Sequence, residues 1–225
     1  PQNTFINLVG APSLNPNFHT QLRNIKYRGS AARIHFALES LPEINGVSAD
    51  QMGTVFSICP TIEYLERASD AVKYGRIAEK PYVEFNIPTV TNPDFAPAGK
   101  HVLSATVQYA PYHLRGQKWD DELKSLLKKN VVGVLEKTIP GFSSLVESSI
   151  VVSPLDLENE FGLTEGNLNH GEMTLDQFMF MRPTISSAQY KSPIENLYLC
   201  GPGTHPGGGL HGANGSNAAK EILKG

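Results

Sequence analysis

Cysteine is scarce in this chain. Cys59 and Cys200 are the only two, far apart and in apolar surroundings. A disulfide-dense scaffold and any cysteine-rich zinc or iron–sulfur site are thereby excluded. Long apolar runs are lacking too, and none approaches the ~20 residues a membrane span needs. There is no excess of positive charge: 19 Lys+Arg against 22 Asp+Glu leave a net charge of −3, so no nucleic-acid partner is expected. No paired-histidine spacing such as H-E-x-x-H occurs, and no metal site is expected. A G-x-S-x-G elbow, a Cys–His context and a P-loop are all missing, which argues against a hydrolase and a nucleoside triphosphatase. No signal-like segment is present, so the expected location is cytoplasmic. What the chain does have is 225 residues, 40% of them hydrophobic and 18% charged. That is enough for a sizeable core, as one large domain or one domain plus part of another.

Segments 4–9 and 17–25 read as short helices separated by the breakers Pro12 and Pro16. In 31–41, Ile34, Phe36 and Leu38 alternate with Arg33, His35 and Glu39, as in a strand with one buried face. A second short strand is expected at 54–59. The pattern predicts a helix over 61–74, capped by Thr61, with Ile62, Leu65 and Val72 on one stripe. Strands follow at 82–90 and 101–109, the second with an imperfect alternation that suggests burial on both faces. The strongest helix is 119–138. Trp119, Leu123, Leu126, Leu127, Val131, Val134 and Leu135 repeat at helical spacing, and Asp120, Asp121 and Glu122 fill its first turn. Pro140–Gly141 stops it. Beyond it come a strand at 145–152, a proline-started helix at 154–161 and a short buried strand at 196–200. The continuously apolar run 178–181 fits a strand buried on both faces.

Eight of the 20 glycines lie in the last 25 residues, and the chain opens at Pro1 without an initiator methionine. Both raise the expectation of a part of a longer protein. A strand, a glycine-rich loop and a helix follow one another here. Glycines let backbone N–H groups approach a ligand, and a helix N-terminus adds partial positive charge. Gly207, Gly209 and Gly212 satisfy G-x-G-x-x-G. A dinucleotide-binding fingerprint would, however, open a βαβ unit and be followed by an acidic residue on a second strand. No such strand follows, so the loop is expected to close a sheet. Six glycines in residues 201–212 are more than a plain turn requires.

The segment NLYLCGPGTHPGGGLHGANGSNAAKEI (196–222) resembles the C-terminal flavin-contacting motif of the FAD-dependent phytoene desaturase-like oxidoreductases. Within them it is similar in particular to the subgroup called pyridine nucleotide-disulfide oxidoreductase domain-containing protein 2 and its bacterial relatives. EYLERASDAVKYGR (63–76), PAGKHVLSATVQYAPYHL (97–114), SPLDLENEFGLTEGN (153–167) and HGEMTLDQFMFMRP (170–183) also look like that subgroup. The N-terminal βαβ unit that cradles the FAD pyrophosphate in this family has no counterpart here.

The resemblance implies a C-terminal portion of such an enzyme. A substrate-binding domain would occupy 1–190, and 191–225 would be the last strand, glycine loop and helix of the FAD-binding domain. The implied fold is α+β, with a mixed or antiparallel sheet, packed helices and a terminal strand–loop–helix. FAD would be the cofactor of the full-length protein and absent from this portion alone. Gly208, Gly209 and Leu210 would face the flavin by their backbone, and Gly201, Pro202 and Gly203 would pass close to its ribityl chain. The implied reaction removes hydride equivalents from a small apolar, isoprenoid-like substrate. Partners would be that substrate, the missing FAD-binding half, a membrane surface touched peripherally, and further copies of the chain meeting through exposed apolar faces.

No catalytic residue is assigned. His170 and Glu172 are candidates for a general base, although hydride transfer to a flavin needs little acid–base help. Arg182 is equally a structural cation or a cofactor contact. Gly212 and Gly215 are expected to permit close packing of the last helix. Tyr109, Tyr112, Phe178, Met179, Phe180 and Met181 suit an apolar channel, and more often such residues form core. The alternative reading is a non-catalytic lipid-binding or interaction module.

Overall fold

The computed structural model describes residues 1–224, the side chain of Ala49 excepted; Gly225, the end of the expected 191–225 segment, lies outside the described residues. The chain divides into two compact units, Ser30–Asp156 and a second made of Pro1–Gly29 with Leu157–Gly225. No boundary between them falls at 190/191.

In the second unit the chain begins with a π-helix, Asn3–Gly10, and a short helix α1, Pro16–Arg23. Asn15 caps α1 by accepting from Asn17 N, and Pro16 opens its first turn. Phe5 and Phe18 meet edge to face at 5.0 Å, and with Leu14 and Leu22 they form a small core. Leu197 and Leu199 pack against this cluster.

Ser30–Asp156 is built on a five-stranded, wholly antiparallel sheet: β1 Ala31–Leu38, β2 Phe56–Ile58, β3 Tyr82–Asn86, β4 His101–Gln108 and β5 Val146–Val152, in the order β2-β3-β4-β1-β5. The alternation read in 31–41 is the burial pattern of β1, with Ala32, Ile34, Phe36 and Leu38 inward. Register sets Ile34 opposite Ala105 and Phe36 opposite Leu103, so large residues of one strand meet complementary ones of the next. β4 buries only Leu103, Ala105 and Val107, so it presents one inward face where sequence suggested two.

Helix α2, Ile62–Lys73, is capped by Thr61, which accepts from Tyr64 N at 3.1 Å. Its inward face runs through Tyr64 and Ala68. Ile62, expected on the stripe, is 80% exposed, because the Tyr64 hydroxyl donates to Pro81 O and pins the other face. A single helical turn, α3 Pro88–Thr91, precedes β4. Helix α4, Asp121–Thr138, is capped by Asp120, which accepts from Leu123 N. It lays Leu123, Leu127, Val131, Val134 and Leu135 into the core shared with β1, β3 and β4. Leu126 lies one residue off that stripe, about 100° round the helix, and is exposed. Gly141, at φ 77°, turns the chain into the short α5, Phe142–Leu145. Phe142 meets Phe36 edge to face at 5.2 Å. Helix α6, Pro154–Phe161, crosses the sequence boundary between the units, and α7, Ala213–Ile222, is the last helix among the described residues.

Two expected strands are absent. Residues 178–181 form a 3-10 turn, Met179–Met181, in which side chains three apart eclipse. Phe178 and Met181 therefore share the half-buried side, while Met179 and Phe180 face outward. Residues 196–200 make one bridge, Tyr198 to Lys191, because among the described residues no other segment pairs with them. Leu197 and Leu199 still alternate inward as a strand would place them.

Candidate functional site

The glycine loop, 201–212, leaves the small core after Leu199 and ends at the N-terminus of α7. It opens with a tight turn, Thr204 N donating to Gly201 O at 3.0 Å and Thr204 Oγ1 to the same oxygen at 2.8 Å. Gly207 (φ 118°), Gly209 (φ 120°) and Gly212 (φ 67°) occupy backbone conformations that L side chains rarely adopt. Other glycines serve close approach. A Cβ on Gly208 would lie 1.9 Å from Asn169 Oδ1, and one on Gly203 would lie 2.5 Å from Pro1 Cγ. Gly201 has open space around it, as do Gly212 and Gly215. The last two are thus not required for close helix packing: Gly212 serves the left-handed N-cap of α7, and nothing in the structure explains Gly215.

All six expected cofactor residues lie in this loop, at different depths. Gly203 is buried, Gly201, Pro202 and Gly208 are half-buried, and Gly209 and Leu210 are exposed. Among the described residues no protein acceptor takes the N–H of Gly203, His205, Gly207, Gly208, Gly209 or Leu210. Such a run of unfilled donors ahead of a helix N-terminus suits a ligand with anionic or carbonyl edges.

Segment 169–183 backs the loop. Arg182 is 3% exposed and, among the described residues, pairs with no carboxylate. Its Nη1 donates to Glu172 O (3.2 Å), Gln177 O (3.4 Å) and Met173 Sδ (3.1 Å), and its Nη2 to Gly171 O (3.3 Å) and Asn169 O. Burial pushes the guanidinium below its ordinary pKa. Of the two readings left open for Arg182, the geometry supports the structural cation, since both terminal nitrogens are spent on this segment. Glu172 pairs with Arg28. Burial and the nearby Arg182 push His170 down to about 4, so its ring is neutral at pH 7. Met173 brings its methyl group against Gly207. His211 Nδ1 accepts from Ala213 N at the start of α7, and His205 Nδ1 is buried without a partner among the described residues. Among the described residues no three His, Cys, Asp or Glu side chains gather as metal ligands. Nor is any described helix long and apolar enough to cross a membrane.

Sequence reasoning missed Asn214, Asn169 and Tyr190. Asn214 is buried in the first turn of α7 and donates into the loop. The Tyr190 hydroxyl donates to His205 O at 2.9 Å. The signal available was an asparagine, a residue that competes with the backbone for hydrogen bonds, placed inside a helix start.

Sequence comparison sets the chain beside the oxidoreductases of the phytoene desaturase kind, in keeping with the motifs above. It is 35% identical over 233 residues to pyridine nucleotide-disulfide oxidoreductase domain-containing protein 2 of Rattus norvegicus, a match covering 100% of this chain and 40% of that protein. It is 27% identical over 163 residues to the lycopene-forming phytoene desaturase of a Paracoccus species, covering 69% of this chain and 30% of that one. A solved structure described as an oxidoreductase from Methanosarcina mazei superposes with a TM-score of 0.52 over 100% of this chain and 41% of its own; at 14% identity this likeness concerns the fold alone. No protein-family model matches. The chain spans about 40% of the length of the rat protein and its Mus musculus counterpart.

Proposed function

We propose that the chain forms the substrate-side part and the closing glycine loop of an FAD-dependent oxidoreductase. The observation that carries this is the loop itself: the N–H donors of Gly203, His205, Gly207, Gly208, Gly209 and Leu210, which no protein acceptor takes among the described residues, run into the N-terminus of α7. The donor set fits an isoalloxazine edge, which offers carbonyl and ring-nitrogen acceptors. When bound, the flavin supplies a two-electron acceptor for hydride equivalents. The residues of this chain would bind and orient it. Gly209 and Leu210 offer exposed backbone to the ring edge, and α7 favours negative charge there. Gly201, Pro202 and Gly203 would pass close to the ribityl chain. Neutral His170 lies beneath Gly203, its Cβ 3.4 Å from where a Cβ would stand, and adds no positive charge of its own.

The substrate would be apolar. Met179, Phe180 and Ile185 are exposed on the 178–187 turns, and Met173 and Leu175 on the segment before them. The pyrophosphate end of the cofactor would be held by sequence that the relatives have beyond the matched 40% of their length. The test is absorbance in the flavin bands. The complete gene product should carry flavin, and the 225-residue chain alone should retain little. Gly209→Val in the complete product should abolish flavin content, since valine is strained at φ 120° and its side chain would meet the His211 ring at 3.0 Å. A complete product free of flavin refutes the proposal and favours a binding module, for which the exposed apolar side chains would serve as the contact surface.

A further inference from the structure

Asn214 is 6% exposed. Its Nδ2 lies 3.0 Å from Thr204 O, 3.1 Å from Gly201 O and 3.2 Å from each of Thr204 Oγ1, His205 O and Gly207 O. An amide turned the other way would set its own oxygen against all five, so the nitrogen occupies this cage. Two N–H bonds are shared among five acceptors, as in three-centre hydrogen bonds. The cage is braced from outside. Tyr190 OH donates to His205 O, and Asn217 Nδ2 donates to Tyr190 OH at 2.8 Å.

The planar peptide unit turns this into a statement about donors. In a trans peptide, C=O and N–H point in opposite directions. Drawing a carbonyl inward therefore turns the N–H of the next residue outward. The residues after Gly201 and His205 are Pro202 and Pro206, which have no N–H. The residues after Thr204 and Gly207 are His205 and Gly208, whose N–H groups have no protein acceptor among the described residues. We infer that Asn214 is a positioning residue of the glycine loop: its amide gathers four carbonyls inward and thereby directs the N–H groups of His205 and Gly208 toward a polar ligand edge. That the ligand is a flavin rests on the function proposed above.

The role depends on polarity and not on side-chain volume. Asparagine and aspartate are nearly isosteric, but a carboxylate would face four carbonyl oxygens. Backbone 15N relaxation on the 225-residue chain reads the loop directly. The wild-type amides of Gly203, Gly207 and Gly208 should be rigid, with order parameters of about 0.85, and should fall below about 0.6 in Asn214→Ala. Asn214→Asp should be at least as disordered at pH 7, and should regain order at acid pH as the carboxyl gains a proton to donate. Gly215→Ala, whose Cβ meets open space, should leave the loop rigid. A rigid loop in Asn214→Ala, or Asn214→Asp indistinguishable from wild type, overturns the inference. Should both variants lose the sheet signals of β1 and β4, the wild type decides. Slow solvent exchange of the Asn214 side-chain amide protons supports the cage, and fast exchange overturns it. In the complete gene product, Asn214→Asp should lower flavin content at least ten-fold, and full retention would overturn the role in ligand presentation. A wild-type product without flavin removes the flavin reading alone, because the relaxation result still settles what Asn214 does to the loop.

Discussion

Replacing Arg182 by methionine removes a buried cation and five contacts while roughly conserving volume. A hydrogen bond to a charged group contributes about 1.5–3 kcal/mol net. Here three of the four carbonyl contacts are long, at 3.2–3.4 Å, so each belongs at or below the low end. Methionine also relieves the desolvation that holds the guanidinium below its ordinary pKa. The expected balance is a loss of about 3 kcal/mol, the size typical of breaking a buried polar network. Amide hydrogen exchange across 169–177 is the assay. Protected amides such as Glu172 N, which donates to Lys26 O, and His170 N, which donates to Asn167 O, should exchange about 100-fold faster. Arg182→Lys keeps the charge but has one nitrogen, which cannot reach carbonyls on both flanks, so it should recover less than half of the loss. Unchanged exchange in Arg182→Met would refute the reasoning. Full rescue by lysine would show that charge alone, and not the fork of donors, holds the segment.

His170 has its pKa lowered to about 4 by burial, so the unfolded chain, with an ordinary histidine near 6.5, binds the proton more tightly. Stability should be full above pH 6.5 and decline as pH falls toward 4, by about 1–2 kcal/mol after screening of a part-exposed ring. Denaturant titrations at several pH values should show this slope, and it should flatten in His170→Asn. Phe36→Ala empties a fully buried site in the sheet core and should cost about 3–5 kcal/mol, followed by fluorescence of Trp119 in the same core. A double-mutant cycle with Phe142→Ala should return a coupling of about 0.5–1.5 kcal/mol for the edge-to-face pair. Gly29→Ala would drive a Cβ to 1.9 Å from Glu165 O, a backbone atom that cannot rotate away, so soluble yield and thermal stability should drop sharply.

Local periodicity was enough for the sheet unit. The alternation of Ile34, Phe36 and Leu38, the stripe of α4 and the caps Thr61 and Asp120 are all properties of residues within one or two turns of each other. They held because each strand found an antiparallel partner and one apolar face was covered. The same logic failed at 178–181. Among the described residues an apolar run there has no strand to pair with, and eclipsed side chains in a tight turn sent Phe180 outward. It also misplaced Ile62 and Leu126, whose exposure depends on which side of the helix meets the core.

The family likeness and the glycine loop were legible in sequence, because both are carried by contiguous residues. By itself the sequence determined that residues 201–212 form a glycine-rich turn ahead of a helix and that 31–152 alternates into strands and helices. Only the tertiary structure decided which glycines yield to the chain's own neighbours, as Gly208 does to Asn169, and which must be glycine for their backbone, as Gly209 must. It alone showed Arg182 spent on carbonyls and Asn214 at the centre of the loop. The physical reason is distance along the chain. Periodicity and propensity act between near neighbours, whereas a hydrogen-bond cage draws on residues that meet only when the chain has folded back on itself.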